Sequence, residues 1–286
     1  MGWVFLNGKM VREDEAAVTA FDHGFLYGDG LFETVAVHRA RPLLLREHLE
    51  RLLAGAAWLS YQHLPTQDQL AAAAGKVIAA NSVTEGALRL LLTRGAGPGT
   101  WDPEGYGPPT IIITAASGTP YREEDYHRGW RAVISSFRQD EGSPLCHLKS
   151  LNFLHHVLAR REARARGAEE ALHLNLRGEL AEGSISNVFV VRRGELVTPD
   201  VASGLLPGIT RAVVLDLARK LGLSVQERPV QPQELQGAEE AFLTSSLMGL
   251  MPLVAVDDRP VGAGVPGPVT ARLRAAYADL VLAGPA

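Results

Sequence analysis

Cysteine is almost absent: Cys146 stands alone in 286 residues, so no internal disulfide can form and no cysteine-based metal cluster is available. A reducing compartment is the natural home of such a chain. No stretch reaches the roughly 18 apolar residues needed to span a bilayer. The N-terminus has neither a basic start nor a long apolar run, so Met1-Gly2-Trp3-Val4-Phe5-Leu6-Asn7-Gly8 reads as a first strand and turn, not as a signal peptide. We therefore expect a cytoplasmic protein with no membrane partner. The formal charge of -4 gives no reason to expect nucleic acid. Neither His-Glu-x-x-His nor Gly-x-Ser-x-Gly occurs, which removes the commonest signatures of zinc proteases and serine hydrolases. His155 and His156 are adjacent on a predicted helix, where side chains diverge by roughly 100°, so no metal site is expected of them. No internal repeat is present.

What is there suits an ordinary globular protein: 46% hydrophobic and 21% charged residues, in a length that fits two domains. Residues 3–6, 31–38 and 41–45 favour β structure, while 46–60 places Leu49, Leu52, Leu53, Ala56 and Ala57 on one helical face. A second helix is predicted over 66–80, then strands over 87–93 and 110–116 flanking a glycine- and proline-rich loop at 95–109. Turn residues in Ser117-Gly118-Thr119-Pro120 mark a boundary, dividing the chain into a smaller N-terminal domain, 1–118, and a larger C-terminal one, 119–286. Beyond it the patterns predict strands near 132–137, 170–175, 188–191, 195–197, 224–228, 240–243 and 253–256, and helices over 152–166, 210–221 and 268–282. The class is α+β, with a site expected in the cleft between the two parts.

Two residues suggest a chemistry. Lys149, in Leu148-Lys149-Ser150-Leu151-Asn152, is followed 33 positions later by Glu182, in Ala181-Glu182-Gly183-Ser184-Ile185-Ser186-Asn187. A lysine amine condenses with the aldehyde of pyridoxal phosphate, and a carboxylate facing the ring nitrogen keeps that ring protonated and able to accept electrons. Either residue alone reads as a solvated charge or as turn chemistry. Leu206-Pro207-Gly208-Ile209-Thr210-Arg211 and Thr244-Ser245-Ser246-Leu247 add backbone N–H and hydroxyl groups suited to a phosphate. The first of these could equally be a plain turn before a helix.

Taken in order, Phe21 to Thr34 (FDHGFLYGDGLFET), Glu47-His48-Leu49-Glu50-Arg51-Leu52, Lys149 to Asn152, Glu182-Gly183-Ser184 with Asn187, Gly208 to Arg211 and Thr244-Ser245-Ser246 resemble the fold-type IV pyridoxal phosphate enzymes. That family includes branched-chain aminotransferases, D-amino acid aminotransferases and 4-amino-4-deoxychorismate lyases, and the resemblance covers nearly the whole chain. It implies a two-domain fold like that of D-amino acid aminotransferase, with the cofactor in the interdomain cleft and a homodimer completing each site. It implies that Lys149 bonds the cofactor and moves the substrate proton, and that Glu182 pairs with the ring nitrogen. Arg51, Gly208, Ile209, Thr210, Ser246 and the amide of Leu247 would hold the phosphate. The string Gly28-Asp29-Gly30 lacks the third glycine of a dinucleotide fingerprint, and a strand follows it.

The shared motifs do not choose the reaction on the small-molecule amine substrate. Branched-chain aminotransferases usually carry an arginine where Ala36 stands and a tyrosine where Ala87 stands; D-amino acid aminotransferases carry a tyrosine at Phe32 and an arginine in the loop after Arg94-Gly95. Ser246 to Leu253, with Leu247-Met248-Gly249-Leu250-Met251-Pro252, looks most like the lyases. Aminodeoxychorismate lyase, which releases pyruvate and 4-aminobenzoate in folate biosynthesis, is therefore the expected activity. A class IV aminotransferase acting on branched-chain L-amino acids or on D-amino acids is the alternative, and a non-catalytic pyridoxal phosphate-binding protein the remote one. Substrate contacts are expected from Tyr27, Phe32, Thr34, Arg89, Arg94 and Met248.

Overall fold

Apolar residues at every second position in the first third of the chain put one face of a sheet against two helices. The computed structural model describes residues 2–102 and 105–283; Met1, Pro103 and Glu104 of the 95–109 loop, and the last three residues, lie outside them. β1 (Trp3–Leu6) turns tightly into β2 (Lys9–Arg12). α1 (His23–Tyr27) is capped by Asp22, whose side chain accepts from Gly24 N, and leads into β3 (Gly30–His38). After β4 (Arg41–Pro42) come α2 (Leu45–Trp58), α3 (Gln67–Ala80), β5 (Gly86–Thr93) and β6 (Thr110–Ser117). The strand expected at 41–45 is cut to two residues, because Leu44 takes φ 53° and Leu45 already opens α2. These strands form an antiparallel sheet in the order β2-β1-β6-β5-β3-β4. Leu31 and Val35 of β3 and Leu88, Leu90 and Leu92 of β5 pack on the helical residues of α2 and α3, as period-two and period-3.6 patterns meeting face to face require.

Backbone packing divides the chain into two units. The first is the chain up to Thr119 together with Leu148–Asn152; the second is Pro120–His147 together with the chain from Phe153 onward. The division expected at 118/119 put Lys149 in the C-terminal part. Its segment belongs instead to the first unit, because it hydrogen-bonds along β3: Phe32 N donates to Lys149 O and Leu151 N to Gly30 O, both at 2.8 Å.

The second unit holds α4 (Glu123–Arg128), β7 (Trp130–Ile134), α5 (Leu154–Ala165), β8 (Glu170–Leu174), β9 (Leu180–Gly183), β10 (Asn187–Arg192) and β11 (Glu195–Thr198). α6 (Ile209–Lys220), β12 (Ser224–Glu227), α7 (Gln233–Gln236), β13 (Glu240–Ser245), β14 (Gly249–Val256), β15 (Arg259–Pro260) and α8 (Pro268–Ala283) follow. Its mixed sheet runs β12-β11-β10-β13-β14-β7-β8-β9, with β15 on β14. Both faces are apolar. Phe189 and Phe242, stacked at 4.9 Å between centroids, pack under α6 and α8, while Val188, Val190 and Leu243 face the opposite core. Among the described residues no helix is long and apolar enough to cross a membrane.

Candidate active site

Lys149 is placed by β3. Its ammonium nitrogen lies 4.6 Å from the centroid of the Phe32 ring, and the Arg89 guanidinium lies 4.4 Å from the same centroid. Arg89 pairs across the ladder with Thr34, so Phe32, Thr34 and Arg89 share the sheet face opposite α2 and α3. One aromatic ring thus carries two cations beside it, a setting that attracts an anionic, partly apolar molecule.

The other face of β3 holds an acid that sequence reasoning left without a role. Glu33 falls between Leu31 and Val35 on the core side and is fully buried. It accepts from Arg51 Nε at 2.7 Å and a terminal guanidinium nitrogen at 2.8 Å, and pairs with His48 Nδ1 at 2.6 Å. Burial pushes its carboxyl up, but the hydrogen bonds from His48 and Arg51 win and hold it down to about 2. The plane of the Arg51 guanidinium is fixed by that fork. An acidic residue at a core-facing position of an alternating strand was the available signal.

Arg94, expected among substrate contacts, is committed elsewhere. Its Nε donates to Asp29 at 2.5 Å, a terminal nitrogen to Leu59 O at 3.1 Å, and it lies over the Tyr61 ring. Asp29 also accepts from Tyr61 at 2.7 Å and pairs with His23 at 2.8 Å. Against its burial, bonds from Arg94, Tyr61 and His23 keep the Asp29 carboxyl below its ordinary range. This buried network ties α1 to β5 and leaves Arg94 a structural cation. Tyr27 donates to Gly99 O at 3.2 Å and its ring meets His23 and Trp101.

In the second unit, Glu182 lies near the end of β9, is 6% exposed, and accepts from Leu206 N at 3.1 Å. Burial, and the Glu182 charge nearby, push the Cys146 thiol up to about 11. Asn187 Nδ2 donates to Leu206 O at 2.9 Å. Gly208, the residue before α6, is required there because a Cβ would collide with Asn187 Oδ1. Ile209 and Thr210 open α6, where N–H groups and helix dipole favour an anion. Arg211 does not join them; it binds Pro199 O at 2.8 Å and Glu227 at 3.0 Å. Ser246 and Leu247 sit half-buried in the turn between β13 and β14. Met248, expected to touch substrate, is 2% exposed and packs in the core, so it fills space and lines nothing. Thr244 pairs with Asn187 on adjacent strands, and its Oγ1 is buried without a hydrogen-bond partner. A buried carboxylate, a glycine-led helix start and an orphaned buried hydroxyl form a donor set that fits a phosphorylated group with a basic ring nitrogen, pyridoxal phosphate among them.

The histidines behave otherwise than expected. His155 and His156 do not diverge: their ring centroids lie 3.9 Å apart, and His173 joins at 5.7 and 5.2 Å. Stacking of His156 on Phe153, at 4.2 Å, and the His155–Gln139 bond of 3.1 Å turn the rings together. Among the described residues no group of three His, Cys, Asp or Glu side chains is arranged to hold a metal.

The sequence matches the profile of the family Amino-transferase class IV over residues 30–256. A protein of Methanocaldococcus jannaschii provisionally named branched-chain-amino-acid aminotransferase is 36% identical over 280 residues, covering 97% of this chain and 96% of the relative. The branched-chain-amino-acid aminotransferase of Escherichia coli is 32% identical over 285 residues, covering 97% and 92%. The D-alanine aminotransferase of Bacillus licheniformis is 30% identical over 281 residues, covering 98% and 97%. In three dimensions the Escherichia coli branched-chain amino acid aminotransferase superposes with a TM-score of 0.93 at 32% identity, covering 98% of this chain and 94% of that one. A T.th. branched-chain amino acid aminotransferase solved with pyridoxamine 5′-phosphate gives 0.92 at 31%, covering 97% and 93%. A Legionella pneumophila protein provisionally named 4-amino-4-deoxychorismate lyase gives 0.85 at 27%, covering 94% and 97%.

Proposed function

This chain belongs to the class IV aminotransferase family and is a pyridoxal phosphate-dependent enzyme, and on that premise we propose that it transfers the amino group of branched-chain L-amino acids to a 2-keto acid. The observation that carries the reading is the breadth of the likeness to branched-chain aminotransferases, in sequence and in fold, against the weaker likeness to a lyase. It replaces the lyase expected from the Leu-Met…Met-Pro string. Met248 and Met251 of that string are both buried in the core of the second unit, so the pattern reports packing and not substrate chemistry.

The cofactor supplies an aldehyde for the substrate amine and a ring that accepts electrons from the adjacent carbon. Lys149 would bond that aldehyde, and its Nζ would take and return the proton at the amine-bearing carbon of the substrate. Glu182 would pair with the ring nitrogen and keep it protonated. Arg51, the N–H groups of Ile209 and Thr210 after Gly208, Ser246 and the Leu247 amide take the phosphate. Arg89 takes the substrate carboxylate, while Phe32 and Thr34 bound the aliphatic side chain and Tyr27 closes the site. A cytoplasmic homodimer completes the proposal.

The test is a side-by-side panel on the purified protein with L-leucine, L-valine, L-isoleucine, D-alanine and aminodeoxychorismate. We expect the three branched L-amino acids to be converted beyond one equivalent per enzyme only when a 2-keto acid is present. Pyruvate released from aminodeoxychorismate without any acceptor, faster than leucine is consumed, would return the lyase; preferential turnover of D-alanine would establish the D-amino acid reading.

A further inference from the structure

Glu170 is a fully buried carboxylate that takes no part in the chemistry above. It lies on β8, and both its oxygens are engaged by the turn that links Glu182 to Asn187. Oε1 accepts from Ser184 N at 3.1 Å and from the Ser184 hydroxyl; Oε2 accepts from the Ser186 hydroxyl at 2.8 Å. Ala171 N adds a fourth donor at 2.9 Å, and an Arg160 guanidinium nitrogen stands 3.8 Å away. A buried carboxylate is strongly unfavourable unless its lone pairs are met, so these donors and the acid hold one another in place.

The turn is tight around that acid. Gly183 N donates to Ser186 O at 2.6 Å and Ser184 N also donates to Ala171 O at 2.9 Å. A Cβ on Gly183 would collide with Ser186 Oγ and come within 3.0 Å of Glu170 Oε2, so only glycine lets the loop close onto the carboxylate. The residue before this turn is Glu182 and the residue after it is Asn187. Those two clamp a single residue's backbone from both sides: Leu206 N donates to Glu182 Oε2 at 3.1 Å, and Leu206 O accepts from Asn187 Nδ2 at 2.9 Å. Leu206 lies two residues before Gly208, and Asn187 Oδ1 fills the space a side chain at Gly208 would need.

We propose that Glu170 is a positioning residue that sets the Glu182 carboxylate and the start of α6 together, so that the group facing the cofactor's ring nitrogen and the group receiving its phosphate are aligned by one buried acid. The inference rests on the assignment of Glu182 and the α6 start to cofactor binding. Coupling of this kind follows from geometry: a shift of the 183–186 turn moves both ends of the Leu206 clamp at once.

The experiment compares wild type with Glu170→Ala and Glu170→Gln, reading the pyridoxal phosphate dissociation constant and the visible absorption band of the bound cofactor, with Glu182→Gln as spectral reference. We expect Glu170→Ala to weaken cofactor binding on the order of tenfold or more and to move the band toward that of Glu182→Gln, with Glu170→Gln restoring part of both. Should Glu170→Ala not fold, the double variant Ser184→Ala/Ser186→Ala, which removes the hydroxyl donors and keeps the acid, is read in the same way. Folded variants that melt earlier but keep the wild-type band and a dissociation constant within about twofold overturn the proposal and leave Glu170 a stability residue. A Lys149→Ala protein that retains the wild-type band overturns the cofactor assignment itself, a separate result.

Discussion

The guanidinium of Arg51 and the carboxylate of Glu33 meet as a two-point fork, at 2.7 and 2.8 Å, on the core side of β3. The pair does two things: it offsets the desolvation of a buried acid and it fixes the orientation of the arginine assigned to the phosphate.

Glu33→Gln should therefore destabilise the first unit by about 3 kcal/mol, measured by urea melts, because His48 and Arg51 lose a charged partner in a buried site. The same variant should also weaken pyridoxal phosphate binding.

The pH dependence follows from the carboxyl held at about 2 against an ordinary 4.5. Its folded value lies below its unfolded one, so the unfolded chain takes the proton first on acidification. The contribution of Glu33 to stability is complete above about 4.5 and is lost as pH falls toward about 2. Urea midpoints across that window should fall steeply in wild type and more gently in Glu33→Gln; parallel slopes would refute the assignment.

Arg89 and Arg94 should separate cleanly. Arg89 is exposed beside Phe32, so Arg89→Ala should raise KM for the amino acid by about tenfold with little change in melting temperature. Arg94 is locked to Asp29 and Leu59, so Arg94→Ala should lower stability by about 3 kcal/mol. The reverse pattern in kinetics and melts would show that the two arginines had been assigned backwards.

His155 and His173 are both held below the ordinary imidazole value, His155 by burial and the neighbouring His173, His173 by burial against its bond to Phe137 O. A depressed folded value means that the unfolded chain binds protons first, so stability is complete above about 6.5 and falls as pH drops through it. Thermal melts from about pH 8 to about 5.5 should show this loss, and His155→Gln should reduce it.

Cys146 is 6% exposed with its thiol pushed up to about 11. Alkylation by iodoacetamide near neutral pH should be negligible in the native protein and rapid in urea. Fast labelling of the native chain would show that this part of the second unit opens.

Much of the fold was legible because its signals are local. The helices 46–60, 66–80 and 268–282 and the strands 31–38 and 110–116 are found within a few residues of α2, α3, α8, β3 and β6. Thr66 and Gln69 even form a reciprocal cap. Lys149 and Glu182 stood out because each sits in a compact string whose residue types only make sense together. Three arginines, in contrast, could not be ranked. Arg51 is set by Glu33, 18 positions away; Arg94 by Asp29, 65 away; Arg89 has a ring for a neighbour.

From sequence alone came the α+β class, read from composition and periodicity, and the family with its cofactor chemistry, read from the resemblance carried by short motifs; all of these signals lie among neighbours along the chain. Tertiary structure decided which unit owns Lys149, which arginine is structural, that Met248 and Met251 are core, and that Glu170 gathers the 183–186 turn. The physical reason is that a charged side chain's role is fixed by the partner that desolvates or neutralises it, and that partner is chosen by strand register and packing, not by proximity in sequence.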